Sequence, residues 1–237
     1  MLVRGFPAGS FGTNCYVVAA AEGEQCLVID PGQDAVGPLE EVLARHRLHP
    51  AAVLLTHGHL DHTWSVAPVC GARDIPAYIH PDDRAMLSDP GATLGSQLGR
   101  MIAGMQFTEP DDVRELGAEG GLDLVGIGLD VQFAPGHTPG SITFRTGNGG
   151  PDGEPLLFSG DFLFYDSIGR CDLPGGSYPD MLRSLVRVIV PMADETVVLP
   201  GHGPATTVAR ERAANPYLAE AVATAGAPGS APKGRGL

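Results

Sequence analysis

Apolar positions in this chain come first in short runs. NCYVVAA (14–20) and QCLVID (25–30) are rich in β-branched side chains, and AEGE joins them, which predicts two strands and a hairpin turn. After the break at PGQD, Leu39, Val42, Leu43 and Leu48 recur at helical spacing, so a helix is expected over 35–48. AAVLLT (51–56) is a continuous apolar run, short enough for a buried strand. Residues 64–72 read as helix and 75–80 as the next strand. The alternation returns later, with strands expected at 129–136, 141–146, 155–161 and 195–201. A helix is expected over 178–192, where Met181, Leu182, Leu185 and Val188 share a face. Residues 88–121 carry neither rhythm and read as an insertion covering part of a sheet edge. The Gly/Pro-rich stretch 226–237 reads as a disordered tail. The whole predicts one α/β domain over 1–225, with sheets sandwiched by helices.

Composition narrows the function classes. Fifteen basic against 28 acidic side chains give a net charge of −13, which repels phosphate backbones and anionic lipid, so neither nucleic acid nor a membrane is expected as a partner. No apolar run approaches the roughly 18 residues of a membrane span, and Met1 is not followed by a secretory signal. The four cysteines form no close-spaced pair, as expected of reduced thiols in a cytoplasm. Nothing in the composition fixes an oligomeric state.

The chemistry gathers at the predicted strand ends. AVLLT runs directly into His57-Gly-His59-Leu-Asp61-His62, which puts four ligand-type side chains within six positions. VQFAPG is followed by His137, LLFSG by Asp161 and TVVLPG by His202. Glycines 136, 160 and 201 precede the last three, consistent with sharp turns that swing each side chain toward a shared centre. Strand ends are where open α/β sheets bind ligands. Any one of these residues alone would read as structural, and His46, His49 and His80 are left so. Five histidines and two aspartates together suffice for two divalent metal ions: zinc, iron or a mixture. Asp161 is the residue able to bridge them.

THGHLDH, PGHTPGS, FSGD and PGHG together resemble the metallo-β-lactamase superfamily across nearly the whole chain. Within it, SFGTNCYVV and GDFLFYDSIGRCDLPGG are similar to the glyoxalase II-like hydrolases (hydroxyacylglutathione hydrolases). The resemblance implies a four-layer αββα sandwich with the metals at one edge. It implies one ion on His57, His59 and His137, and a second on Asp61, His62 and His202, with Asp161 bridging. It further implies a cytoplasmic thioesterase acting on a lactoyl-like thioester of a small thiol. Asp61 and Asp161 would orient the attacking water, and Arg170 and Tyr165, with Cys171, would line the substrate site. Thirty-five residues follow His202, too few for the helical C-terminal domain that supplies glutathione contacts in full-length glyoxalase II. The basic residues Arg100, Arg114 and Arg170 are also few for a dicarboxylate. Fourteen arginines against one lysine are in keeping with a GC-rich bacterium, some of which use mycothiol or other thiols. The alternatives are a persulfide dioxygenase with a single iron on His57, His137 and Asp161, and a lactonase.

Overall fold

In the computed structural model, which describes residues 1–226 except 93, 95–98, 100, 101, 103 and 118, two six-stranded sheets lie face to face. The first runs in chain order: β1 (Leu2–Ala8), β2 (Thr13–Ala19), β3 (Gln25–Ile29), β4 (His49–Leu54), β5 (Ala77–Ile79) and β6 (Val113–Glu115). Its first three strands are antiparallel, and β3 to β6 are parallel. The second holds β7 (Glu119–Leu124), β8 (Ile127–Phe133), β9 (Ile142–Arg145), β10 (Leu156–Gly160), β11 (Val197–Pro200) and β12 (Thr206–Thr207). Helices α1 (Val36–His46) and α3 (Val66–Gly71) cover the first sheet, with the short α2 (Leu60–Thr63) between them in sequence and α4 (Pro81–Arg84) after β5. Helices α5 (Tyr178–Val188), α6 (Val208–Ala214) and α7 (Pro216–Ala225) cover the second.

Side-chain alternation builds these layers. Along β2, Cys15, Val17 and Ala19 join Leu39 and Leu43 of α1, while Tyr16 and Val18 face the other sheet and meet Ile142, Phe144 and Phe158. Along β10, Leu156 and Phe158 face inward, and Leu157 packs with Met181 and Leu185 of α5 and Leu218 of α7. Central strands are therefore apolar on both faces, which is why they read as continuous runs. Each fully buried Leu, Ile or Phe among them contributes roughly 1.5–3 kcal/mol.

The architecture is the expected αββα sandwich, with additions. Residues 88–121 are not wholly irregular: Val113–Glu115 forms β6, which pairs with β5 and extends the first sheet at its edge. Only Val113 and Leu116 are apolar in DDVREL, so pairing with β5 makes this strand rather than its own pattern. β7 opens on Glu-Gly-Gly and forms because Val125 (φ 50°) and Gly126 (φ 74°) make a two-residue hairpin turn onto β8. Pro7 and Gly5 hid β1, whose edge position tolerates proline. Arg100, and all of the tail except Gly226, lie outside the described residues. Among the described residues, no helix is long and apolar enough to cross a membrane.

Strand direction then places the site. β8 is antiparallel to β9 and β9 to β10, while β10 and β11 are parallel. β8, β10 and β11 thus end at one edge, and β4 ends beside them: Ile142 donates its N–H to the Thr56 carbonyl at 2.8 Å.

Candidate metal centre

His57 and His59 lie on the extended segment leaving β4, and Asp61 and His62 on α2. His137 follows β8, Asp161 follows β10 and His202 follows β11. All seven residues converge. Ligand atoms of His57, His59 and His137 lie within 4.8 Å of one another, as do those of Asp61, His62 and His202, and those of His57, His62 and Asp161. His59 Nδ1 is 2.7 Å from His137 Nε2, and His62 Nε2 is 3.3 Å from His202 Nε2. Asp161 faces both groups: Oδ1 is 3.2 Å from His62 Nε2, and Oδ2 is 3.5 Å from His137 Nε2 and 3.6 Å from His202 Nε2.

Two glycines are needed where sequence placed them, for different reasons. Gly160 has φ 50° and packs against the Thr56 side chain with no space for a Cβ. Gly201 has no such backbone, but a Cβ there would strike the Asp161 carboxylate and stand 2.6 Å from the His62 ring. Its role is close approach. Helix α5, capped by Ser177, supports the third turn: the Ser177 N–H donates to the Gly136 carbonyl at 2.8 Å, and Gly136 abuts the Met181 backbone.

The electrostatics suit cations. Burial pushes His57 well below the usual imidazole range, helped by His62 and His137, and burial with His137 takes His59 down to about 3. Both rings are neutral, the form that ligates metal. Burial also opposes charge on His62, but Asp161 and Asp61 outweigh it and raise its pKa. Burial works against ionising Asp61 and Asp161 as well, and the facing His62 overcomes it, holding both below the usual carboxylate range. His57 Nε2 and His59 Nε2 are buried without a hydrogen-bond partner. An orphaned buried polar atom costs about 1–3 kcal/mol, and a cation shared among these nitrogens and carboxylates would remove that cost. The donor set fits two divalent ions of the zinc or iron kind.

The opposite ring nitrogens are held from behind. His57 Nδ1 lies 3.1 Å from Thr56 Oγ1, His62 Nδ1 lies 3.0 Å from Asp30 Oδ2, and His137 Nδ1 lies 2.7 Å from the Arg170 carbonyl. Asp30, in the left-handed region at φ 50°, also accepts from Thr56 N–H at 2.8 Å and Thr56 Oγ1 at 2.6 Å. Asp83, fully buried on α4, accepts from Gly58 N–H at 2.9 Å, Thr138 Oγ1 at 2.6 Å and Gly140 N–H at 2.7 Å. Asn14 Nδ2 donates to the carbonyls of Pro200 and Gly203, which fixes the His202 turn. Sequence reading missed all three. Asp30 had a signal, as an acid ending an apolar strand before Pro-Gly; Asp83 had none to separate it from Asp82.

Arg170 and Tyr165 differ in placement. Arg170 lines the cleft above the ligands, but its guanidinium makes a two-point pair with Asp172 at 2.7 and 2.8 Å. Tyr165 is not among the cleft residues; its exposed ring lies beneath the Arg210 guanidinium, 3.4 Å away. Cys171 is half-buried, and burial lifts its thiol to about 11. His80 stacks on Phe133 and stands in none of the ligand groups. The cleft itself holds about 480 Å³, with Phe11, Trp64, Ile102, Met105, Phe164 and Leu173 on its walls.

The metallo-beta-lactamase superfamily model matches residues 8–202. The chain belongs to the metallo-β-lactamase superfamily. An uncharacterized protein of Mycobacterium tuberculosis is 48% identical over 92% of this chain and 98% of its own length. Hydroxyacylglutathione hydrolase GloC of Haemophilus influenzae is 29% identical over 92% of this chain and 98% of its own. Among solved superfamily structures, the BLEG-1 B3 metallo-beta-lactamase is 34% identical with a TM-score of 0.78, covering 92% of this chain and 99% of that one. TTHA1623, in a di-iron-bound form, is 36% identical with a TM-score of 0.74, covering 90% and 99%.

Proposed function

We propose that this superfamily member is a dinuclear metal-dependent thioester hydrolase of glyoxalase II type, cleaving a lactoyl-like acyl thioester of a low-molecular-weight thiol. The observation carrying this reading is Asp161 set between two complete ligand groups. His57, His59 and His137 would hold one ion, and Asp61, His62 and His202 the other, with Asp161 shared. Two bound ions supply a water of lowered pKa and a Lewis acid for the carbonyl oxygen. The TTHA1623 likeness supports a pair of ions and leaves iron beside zinc as their identity.

The protein's own groups do the rest. Thr56, Asp30 and the Arg170 carbonyl keep His57, His62 and His137 turned toward the centre, and the apolar cleft wall excludes water from around the substrate. Apart from the ligands, the described cleft residues offer Gln33 and the Asp172-paired Arg170 as their polar side chains, and neither is a general acid. That suits a thiolate leaving group, stable near neutral pH, better than an alkoxide or amine. GloC, whose name specifies glutathione thioesters, is matched over 98% of its length, so a hydrolase so named has no large domain beyond the span shared with this chain. The shortness of the chain after His202 therefore does not count against glutathione as the carrier.

The likeness to BLEG-1 supports β-lactam hydrolysis as a second reading. The deciding assay measures thiol release from lactoyl thioesters of glutathione, mycothiol and uncharged thiols, beside a lactone, nitrocefin and, by oxygen uptake, a persulfide. Thioester turnover should exceed the others. Faster lactone or nitrocefin turnover would overturn the reading, and oxygen uptake would replace it with a single-iron enzyme.

A further inference from the structure

The walls of the cleft carry more information than its floor. The ligands form the floor, and the surrounding side chains are mostly apolar: Phe11, Trp64, Ile102, Met105, Phe164 and Leu173. Met105 is 52% exposed at the rim. Trp64 meets Phe107 edge-on, with ring centroids 5.7 Å apart. On the far side of Trp64 and Met105 lies a second hollow of about 470 Å³, lined by Val66, Leu87 and Phe107, which shares Leu60, Trp64 and Met105 with the first. The second hollow is mixed, with Thr63, Gln106 and Thr108 beside its apolar side chains, so the apolar surface nearest the ligands is that of the cleft itself.

Charge points the same way. Arg170 is the one arginine among the described cleft residues, and Asp172 occupies its guanidinium. Arg114, the one described arginine of the 88–121 stretch, is held by Asp112 and the Tyr78 hydroxyl. Among the described residues, the cleft walls away from the ion site offer a substrate carboxylate no unpaired cationic side chain, so burying one against them would lose hydration at a net cost. A methylene entering the cleft would gain.

Resting on the thioesterase reading, we propose that the cleft binds an apolar group attached to the thioester, an aliphatic or aromatic chain of four or more carbons. The apolar surface would set substrate preference, and ions held at the Asp61–Asp161 floor would polarise the carbonyl oxygen. A cleft of this size accommodates a small-molecule substrate.

Trp64 is the chain's single tryptophan, so cleft occupancy has its own optical reporter. The test uses the metal-loaded protein and two readouts. One is kcat/KM for acetyl, butyryl and hexanoyl thioesters of N-acetylcysteamine, with acetyl thioesters of ethanethiol and hexanethiol as the opposite arm and S-lactoylglutathione alongside. The other is Trp64 emission on titration with S-methyl and S-hexyl thioethers of N-acetylcysteamine, which cannot be hydrolysed. Along one arm kcat/KM should rise about tenfold for every two methylenes buried, and that arm identifies the side of the thioester that enters the cleft. The S-hexyl thioether should shift Trp64 emission at concentrations where S-methyl does not. Met105→Glu, at an exposed position, should flatten the chain-length dependence. Values of kcat/KM that are flat or falling with chain length in both arms, with S-lactoylglutathione the best substrate, would overturn the proposal. Equal responses of Trp64 to the two thioethers would also overturn it. Binding of S-hexyl with no thioester turned over would uphold the apolar site and sink the thioesterase reading instead.

Discussion

The Asp83 carboxylate accepts the Thr138 hydroxyl at 2.6 Å, and this contact ties α4, which follows β5 of the first sheet, to the turn after β8 of the second. The same carboxylate takes the N–H groups of Gly58 and Gly140, so one buried side chain spans the His57–His59 segment and the turn after His137. Neither glycine has space for a Cβ: at Gly58 it would stand 2.7 Å from the Asp83 carbonyl, and at Gly140 2.6 Å from the Asp83 carboxylate.

Asp83→Ala should leave the Gly58 and Gly140 N–H groups unpaired, each at about 1–3 kcal/mol, while the Thr138 hydroxyl keeps Ser141, and should weaken metal binding by roughly 10–100-fold. Asp83→Asn, which keeps one acceptor oxygen, should fall between. Denaturant unfolding and chelator competition read the two effects separately. Wild-type metal affinity in Asp83→Ala would contradict this account.

Asp30 is expected to act mainly on the second group, because it meets His62 directly and reaches His57 only through Thr56. Its contact with His62 Nδ1 orients that ring, so Asp30→Ala should preferentially weaken the ion assigned to Asp61, His62 and His202. Stepwise removal by a chelator should show one ion lost about 10–100-fold more readily and the other little changed. Simultaneous loss of both would place the Asp30 effect on the fold rather than on His62.

Gly201→Ala tests the close packing around the ligands. The new methyl would push on Asp161 and the His62 ring while the strand pairing of β10 with β11 stays intact. Activity should fall by about a hundredfold or more, beyond what loss of an outer partner costs, with the circular dichroism spectrum unchanged. Activity within twofold of wild type would show that the ligands are free to yield there.

The seven converging side chains were legible in the sequence because each lies just past an apolar strand and carries metal-binding chemistry, and the glycines before His137, Asp161 and His202 marked the turns. The central strands were legible for the same reason, as continuous runs of Val, Leu and Ile. β6 and β7 were not: their own residues favour loop, and a neighbouring strand decides their state. Asp83 and Asn14 were hidden because a buried acceptor or donor leaves no periodic trace. The Arg170 role was hidden more deeply, since its backbone carbonyl, not its guanidinium, fixes His137. The apolar cleft draws Phe11, Trp64 and Phe164 from three separated stretches, and only the fold brings them together.

The most direct test of the central claim is metal stoichiometry by elemental analysis of protein purified without chelator, measured for wild type and Asp161→Ala. The account predicts close to two zinc or iron ions per wild-type chain. It predicts fewer in Asp161→Ala, with activity falling alongside. A fully active wild type holding one ion, or an Asp161→Ala variant retaining two ions and wild-type turnover, would contradict it.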